Sequence, residues 1–477
     1  MKKTLLAFIV LCSIFGCTRQ ESTPKFKSIQ ESLIPSVVVG DTIVTTYSIE
    51  ERMTHYHVPG VSIAVFKDGK IVWSNSIGVT DANQELKVNS KTRFQAASIS
   101  KPITAVGILK LVEKYELDLD EDVNKYLQSW KLDSPFLENE IVTIRRLLSH
   151  TAGINIGGFQ VYEKTDTIPH TTGILKGEGN TPQIELDTIP GLGFSYSGGG
   201  YVILQQLIED VSGKIFEDYF ESEVFLPLDM MNSTFNQFPE ENVSIAHDKE
   251  GKPYHGDWLT YPEQAAAGLW TTPIDLAKFC IAIENAYYGE KETIISAELA
   301  KEMLTTVENW GLGVGLRGES QNRFFFHGGS NPGGYRSIMV DAFNARTGII
   351  VMTNGVQGDK LHDEILRAFS MFFDISVLQP KYIQPVNLEE STLEKFIGKY
   401  HFREMGDYYL EMSIDSDNQL ILYDPNDGME NTFLPINDST FVERFEGLEL
   451  TFKMDTLTES VVNVDYNGAY TFYKVNE

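Results

Sequence analysis

Ser98 and Lys101 stand three residues apart at the head of a long apolar run, Ile103 to Val112, with Pro102 suited to a first helical turn. On a helix that spacing sets hydroxyl and amine one turn apart on the same side, within hydrogen-bonding reach. A serine at a helix start also has backbone N–H groups and the positive end of the helix dipole beside it, which favours a developing oxyanion. The chemistry is that of an activated serine nucleophile, provided a neighbouring base can take the proton. The pattern alone is common: Ser22-Thr23-Pro24-Lys25 matches it in a polar stretch with no buried helix behind it. A helix-capping Ser98 beside an incidental lysine accounts for those four residues equally well.

Two more clusters shift that balance. Tyr196-Ser197-Gly198-Gly199-Gly200-Tyr201 reads as a Gly-rich turn ahead of a helical stretch, Val202 to Val211, holding a phenol fixed while the backbone bends. His327-Gly328-Gly329-Ser330 ends the apolar run Phe324 to Phe326, where a strand edge without β-carbons lets a substrate backbone approach. With these three motifs in this order the chain resembles the serine β-lactamase and penicillin-binding protein superfamily, in its class C-like branch of esterases, D-amino-acid peptidases and related hydrolases. The resemblance spans roughly residues 45 to 370. Val58-Pro59-Gly60-Val61, Leu147-Leu148-Ser149-His150-Thr151-Ala152-Gly153, and Ala267-Gly268-Leu269-Trp270 with Asp275 add to it.

The resemblance implies Ser98 as acylated nucleophile, Lys101 as its partner in proton transfer and Tyr196 as the phenolate-like base that later activates water. His327 takes the place of the lysine or histidine that opens the third motif, and the N–H groups of Ser98 and Ser330, next to Gly329, form the oxyanion hole. Whether Lys101 or Tyr196 takes the serine proton stays open. Many relatives carry asparagine at the position of Gly198, where its amide orients the lysine and binds an acylamino carbonyl; glycine does neither. The implied reaction is acyl transfer to water on a small molecule or short peptide. A small-acyl ester is the foremost substrate, with D-amino-acid peptidase or weak β-lactamase activity, or a catalytically silent cell-envelope binding protein, as alternatives.

No metal or organic cofactor is implied. His55-Tyr56-His57 is the only close histidine pair, nothing matches His-Glu-x-x-His, and surface or packing roles suit these histidines. The α/β-hydrolase alternative lacks its Gly-x-Ser-x-Gly elbow with partners. Ser416-Asp417-Asn418 copies a motif of class A relatives but falls after the third motif, between short strands, and reads as a polar hairpin turn. His150 reads as a packing residue. Trp258, Tyr261, Trp270, Tyr335 and the connection Ile154 to Gly193 are candidates for lining the pocket, or core.

The elements that must position these residues follow from periodicity. Val61 to Val65 and Ile71 to Trp73 flank Asp68-Gly69 as a β-hairpin. Helical stretches and Gly/Thr-rich connections fill 141 to 310, and strands resume at Phe324 to Phe326, Arg336 to Val340 and Gly348 to Met352. Strands at both ends with helices between imply an α+β fold: one antiparallel sheet flanked by helices, closed by the two ends of the domain, with a helical insertion. From Leu393 short alternating strands imply a small all-β, barrel-like domain. Cys280, in an apolar helical stretch, reads as a buried small hydrophobe.

Of the 477 residues, 42% are hydrophobic and 22% charged, the balance of a globular chain with a sizeable core. A net charge of −28 repels phosphate backbones and speaks against nucleic acid as a partner. Lys2 and Lys3 precede an apolar run of thirteen residues, Thr4 to Gly16, too short for a bilayer span and of signal-peptide length. Ile14-Phe15-Gly16-Cys17 resembles a bacterial lipobox, implying export and a lipid on Cys17 that holds the protein to the envelope membrane, facing the periplasm. The expected partition is a signal over 1–17, a polar tether over 18–40, a catalytic domain over 41–375, a linker over 376–392 and a β-domain over 393–477. The sequence leaves the oligomeric state open.

Overall fold

The computed structural model describes residues 26–475, apart from 41–43, 85, 309, 405, 407, 426, 427, 456 and 459. Cys17 and Ser22-Thr23-Pro24-Lys25 lie outside the described residues. The Asp68-Gly69 turn, with both residues at positive φ, joins strands Gly60–Lys67 and Lys70–Asp81 as the sequence implies. Gly60–Lys67 then pairs with Thr347–Thr353, so the two ends of the domain meet in mid-sheet. The full antiparallel order is Leu86–Lys87, Lys70–Asp81, Gly60–Lys67, Thr347–Thr353, Arg336–Ala342, Phe324–Ser330, Gly315–Arg317.

Side chains alternate across the central strands as a period of two demands. Val61, Ile63, Val65, Ile349 and Val351 join one apolar layer with helices Ile49–His55 and Gly358–Phe373. Ala64, Phe66, Ile350 and Met352 face the other layer, where Pro273–Tyr287 covers the sheet and Ser100–Tyr115 lies behind it. Thr272 starts Pro273–Tyr287 by accepting from Asp275 N, with proline in the first turn, and Cys280 is fully buried inside that helix. Ser100–Tyr115 is buried over its first ten residues, Ser100 to Leu109, and sits in the middle of the helical insertion.

Eight C-terminal strands, from Gly398–His401 to Tyr470–Lys474, form a closed antiparallel barrel in sequence order, completed by pairing of first and last. Leu393 and Phe396 enter its core, where Phe396 packs on Phe441 and Phe452. Asp415 Oδ1 accepts from Asp417 N and Gln419 N, and Asn418 has φ 57°, so Ser416-Asp417-Asn418 is a hairpin turn.

The expected tether over 18–40 needs correction from Phe26 onward. Phe26, Ile29 and Leu33 are buried against the Gly358–Phe373 layer, because their spacing gives the short helix Lys27–Glu31 an apolar side. Val37–Val39 pairs in parallel with Lys381–Ile383, inside the segment expected as a linker, so that segment carries one strand of a two-stranded sheet.

Candidate active site

Ser98 occupies a single 3-10 turn, Ala97–Ile99, that runs directly into Ser100–Tyr115. Ala97 holds a left-handed φ of 45°, which costs an L-residue about 1–2 kcal/mol. Neighbours clamp this turn. Ser100 Oγ donates to Ala97 O at 2.6 Å and accepts from Leu269 N at 3.0 Å; Ala96 N donates to Leu269 O at 2.8 Å, and Ser337 Oγ donates to Ala96 O at 2.9 Å. The turn that carries Ser98 is thus bolted to Ala267-Gly268-Leu269-Trp270 on one side and to the sheet on the other. Gly329 permits that approach: a Cβ there would come within 2.0 Å of Ala96 O.

Ser98 caps no helix. The cap position of Ser100–Tyr115 is Ile99, without a side-chain bond, so the capping account of Ser98 falls. Lys101 Nζ lies 3.2 Å from Ser98 Oγ and donates to Ala266 O at 2.8 Å. The same ammonium is 4.9 Å from the ring centroid of Tyr196 and 5.6 Å from that of Tyr201. Ser98, Lys101 and the Tyr196 ring therefore lie together around the Lys101 ammonium.

Tyr196 precedes Ser197, whose Oγ caps helix Gly198–Ser212 by accepting from Gly200 N at 3.0 Å and donates to Asn155 O at 2.8 Å. The three glycines are the helix's first turn, which corrects their reading as a bend, and Gly198 is absent from the positive-φ positions. Gly198 N and Gly199 N both donate to Ile156 O, at 2.9 and 3.1 Å. This stitches the loop Ile154–Phe159 over the helix start. A Cβ at Gly198 would fall 2.5 Å from Cε2 of Phe159.

His327 lies on strand Phe324–Ser330 beyond the short neighbour Gly315–Arg317, which pairs only with Phe324 to Phe326 and leaves His327 to Ser330 open on that side. His327 Nδ1 sits 2.7 Å from Gly328 O and, facing a carbonyl, carries the proton; Nε2 is then a bare lone pair, buried and without a partner among the described residues. Burial, and then the Lys101 ammonium, push His327 down to about 3, so it is neutral at physiological pH. His150 has the opposite tautomer: Nδ1 accepts from Ser197 N at 3.0 Å, which puts the proton on Nε2. Burial, Lys101 and His327 together hold it well below the ordinary histidine range.

Two lobes of a cleft, about 470 and 380 Å³, share Ser98, Ser330 and Arg336. The larger adds Tyr196, His327, Trp310 and, from helix Gly358–Phe373, Asp359 and Asp363. The smaller adds Lys101, Phe159, Tyr261, Ala267 and Pro332. Of the aromatic candidates only Tyr261 lines a lobe; Trp258, Trp270 and Tyr335 are buried. Trp310 and Arg336 lack any local motif and were not singled out by sequence, although Arg336 follows the third motif by six residues, whereas Phe159 comes from the connection 154 to 193 that the sequence offered as pocket lining. Trp310 packs edge-on to His150, Tyr196 and His327 at centroid distances of 5.7, 6.1 and 5.6 Å.

Residues 48–369 match the family model described as Beta-lactamase. The chain belongs to the β-lactamase family. Members of this superfamily are serine hydrolases. Over 230 residues the chain is 30% identical to "Protein flp" of Staphylococcus aureus (strain MRSA252), covering 47% of this chain and 44% of that one, so it spans less than half of that relative's length. "Penicillin-binding protein 4*" of Bacillus subtilis (strain 168) is 23% identical over 438 residues, 85% of this chain and 92% of the relative. The octameric penicillin-binding protein homologue from Pyrococcus abyssi shares the fold with a TM-score of 0.59 at 24% identity, covering 89% of this chain and 98% of that one.

Proposed function

We propose that this β-lactamase-family chain hydrolyses an ester or amide in two steps through Ser98. Ser98 Oγ adds to the substrate carbonyl while its proton passes to the Lys101/Tyr196 pair, and the oxyanion meets the N–H groups of Ser98 and Ser330. The carbonyl re-forms, the bond to the leaving group breaks, and the departing oxygen or nitrogen takes up the proton. Water then adds to the acyl-enzyme, giving a proton to the same pair, and the acid departs as Ser98 regains its hydrogen. Neutral His327 offers a lone pair beside this path. The observation that carries the reading is Lys101 Nζ at 3.2 Å from a Ser98 hydroxyl that has no capping duty.

Small-acyl esters fit best, because Gly198 presents no amide to an acylamino group. The test is labelling by a fluorophosphonate, followed by a panel of p-nitrophenyl acetate and butyrate, D-amino-acid amides, penicillins and cephalosporins. Label on Ser98 with ester turnover supports the reading. Folded protein that takes no label leaves a silent envelope binder instead, and cephalosporins hydrolysed faster than the esters would make it a β-lactamase.

The same proposal includes export and a lipid on Cys17, resting on Lys2, Lys3, the short apolar run and Ile14-Phe15-Gly16-Cys17. Cys17→Ser should move the protein from the membrane fraction to the soluble one; equal partition of both forms refutes the anchor.

A further inference from the structure

We infer that the catalytic domain rests on an anionic lipid surface by the end that carries Phe26 and the Lys67–Lys70 turn, so that the Ser98 cleft opens away from the bilayer and takes its substrate from the water phase. This rests on the Cys17 anchor proposed above and names the surface against which that anchor holds the protein.

The N-terminal segment enters the domain at the end opposite the cleft. The Phe26 ring centroid lies 5.4 and 6.4 Å from those of Phe372 and Phe373, in the last turn of helix Gly358–Phe373, and 6.1 Å from that of Trp73. From there the chain runs back along that helix: Arg367 Nε donates to Ile34 O at 3.2 Å, and Ser36 reaches a groove that Asp359 and Asp363 border. Asp359 and Asp363, at the helix start, line the cleft. At the rise of an α-helix, the path from Asp359 to Phe373 sets Phe26 about 20 Å from the cleft. The sheet gives the same span. Strand Phe324–Ser330 begins in the apolar layer of Phe26 and ends in the cleft, again about 20 Å at the rise of a strand. Cys17 precedes Phe26 by nine residues, which at full extension span about 30 Å. That length bounds the height of the Phe26 end above the bilayer; turning the cleft outward falls to the charges.

Lys67 and Lys70 flank the Asp68-Gly69 turn, and Arg346, Arg323 and Arg317 follow along the same edge of the sheet. Lys67, Arg323 and Arg317 lie over the rings of Phe373, Phe343 and Phe326 at 5.3, 5.7 and 4.9 Å. These three and Lys70 are in no ion pair among the described residues, while Arg346 is matched by Glu290 at 3.0 Å. Against the four unmatched cations stand Asp68, Glu319 and Asp374, a slight basic excess on a chain whose net charge is −28. At the cleft end, Asp359 and Asp363 are likewise in no ion pair among the described residues. Physiological salt screens charge over about 8 Å, so acids about 20 Å away are not felt at the Lys67–Lys70 end, and an anionic surface repels them when the cleft turns toward it. Lysines and arginines brought close to anionic headgroups are attracted. Met371 and Val72, next in sequence to Phe372 and Trp73, are 52% and 37% exposed and add apolar contact at the same end.

The test uses the full chain, processed by the cell and reconstituted on vesicles of phosphatidylcholine with phosphatidylglycerol. A thiol-reactive fluorescent donor is placed in Lys70→Cys, at the Phe26 end, or in Lys249→Cys, an exposed position whose carbonyl accepts from Gln357 Nε2 at the cleft end of helix Gly358–Phe373. Energy transfer to a headgroup-labelled lipid reads the height of each. Cys280 is buried and a lipidated Cys17 has no free thiol, so each label is unique. Transfer from Lys70→Cys is expected to be several-fold greater than from Lys249→Cys, and the added change Lys67→Glu/Arg317→Glu to bring the two together. Equal transfer from the two sites, greater transfer from Lys249→Cys, or a difference untouched by the charge reversal overturns the inference. Wild-type protein that takes the label on Cys17, or that stays off the vesicles, defeats the anchor reading instead. Flotation of Cys17→Ser with the same vesicles, with and without Lys67→Glu/Arg317→Glu, then still reads whether this end meets anionic lipid.

Discussion

His150 lies with its ring centroid 4.4 Å from that of Tyr196, tilted by 34°, while its Nδ1 accepts from Ser197 N at 3.0 Å and its carbonyl accepts from Ser195 N at 2.8 Å. One buried residue thus grips Tyr196 by the ring and by the main chain on either side of it. Its own backbone is left-handed, φ 60°, a conformation that only a surrounding structure this tight makes affordable. Packing is therefore the correct reading of His150, and what it packs is the tyrosine proposed above as a proton carrier.

His150→Asn keeps an acceptor for Ser197 N and tolerates positive φ, whereas His150→Phe keeps a ring and leaves that N–H unpaired, a loss of about 1–3 kcal/mol. Both should lower kcat more than they raise KM. Because His150 is held neutral far below the usual histidine range, neither should remove an ionisation from the kcat–pH profile between about pH 5 and 8. Loss of an acid limb in both variants would make His150 a titrating base.

Ser98→Ala should abolish turnover with the thermal midpoint unchanged, since the hydroxyl caps nothing. Lys101→Ala and Tyr196→Phe should each slow acylation or deacylation on the order of 10²-fold or more, as removal of a positioned proton carrier does. Lys101→Ala should also raise the His327 titration seen by NMR, because the ammonium is one of the two causes holding it down. Wild-type rates in both variants would leave Ser98 without a base.

Glu263, just before the short helix that supplies Ala266 O to Lys101, has no exposure, and its Oε2 has no partner among the described residues. Burial pushes its carboxyl up to about 7. The folded state then binds a proton that the unfolded state releases above about 4.5, so this group makes stability fall as pH rises from about 4.5 to 7, with no further change above that. Glu263→Gln should stabilise the protein at pH 8 on the order of 1–3 kcal/mol and do little near pH 4.5. Thermal melts of both forms across that range check it; a difference independent of pH removes Glu263 as the cause.

The catalytic frame was legible in the sequence because it is written locally. The Asp68-Gly69 hairpin, the buried helix after Ser98 and the alternating C-terminal strands each carry their own period. So are the three motifs, whose side chains the fold gathers around Lys101. Trp310 and Arg336 were not legible, because each reaches the cleft from a loop or strand whose position depends on distant pairing, while Phe159 was legible only as part of the connection 154 to 193. The helix start at Gly198 was misread for a related reason: three glycines suggest a bend, yet Ser197 supplies a cap and Tyr201 to Leu207 supply the buried side that propensity lacks. The segment 26–39 looked polar by composition, while three apolar residues at helical spacing sufficed to dock it.

That docking shapes the expected behaviour of a chain cut after Val386. Within the catalytic domain the sheet is complete by Thr353, and helix Gly358–Phe373 is tied back by Arg52, whose Nε and Nη2 donate to Glu364 Oε2 and Oε1, both at 2.7 Å. The barrel holds a separate core closed on itself through Gly398–His401 and Tyr470–Lys474. Between them lie a small apolar cluster, Val37 and Ile383 with Val442, and ion pairs Lys360–Glu446 and Lys381–Glu449. Half-exposed pairs of that kind contribute about 0–1 kcal/mol each, and uncovering two aliphatic side chains costs about 3–6 kcal/mol at most. The truncated chain should therefore fold and keep its fluorophosphonate labelling, with a lower midpoint in denaturant, while the full chain unfolds with separate transitions for the two cores. An insoluble product without residual structure would mean that the Val37–Ile383–Val442 contact joins the two domains into a single cooperative unit.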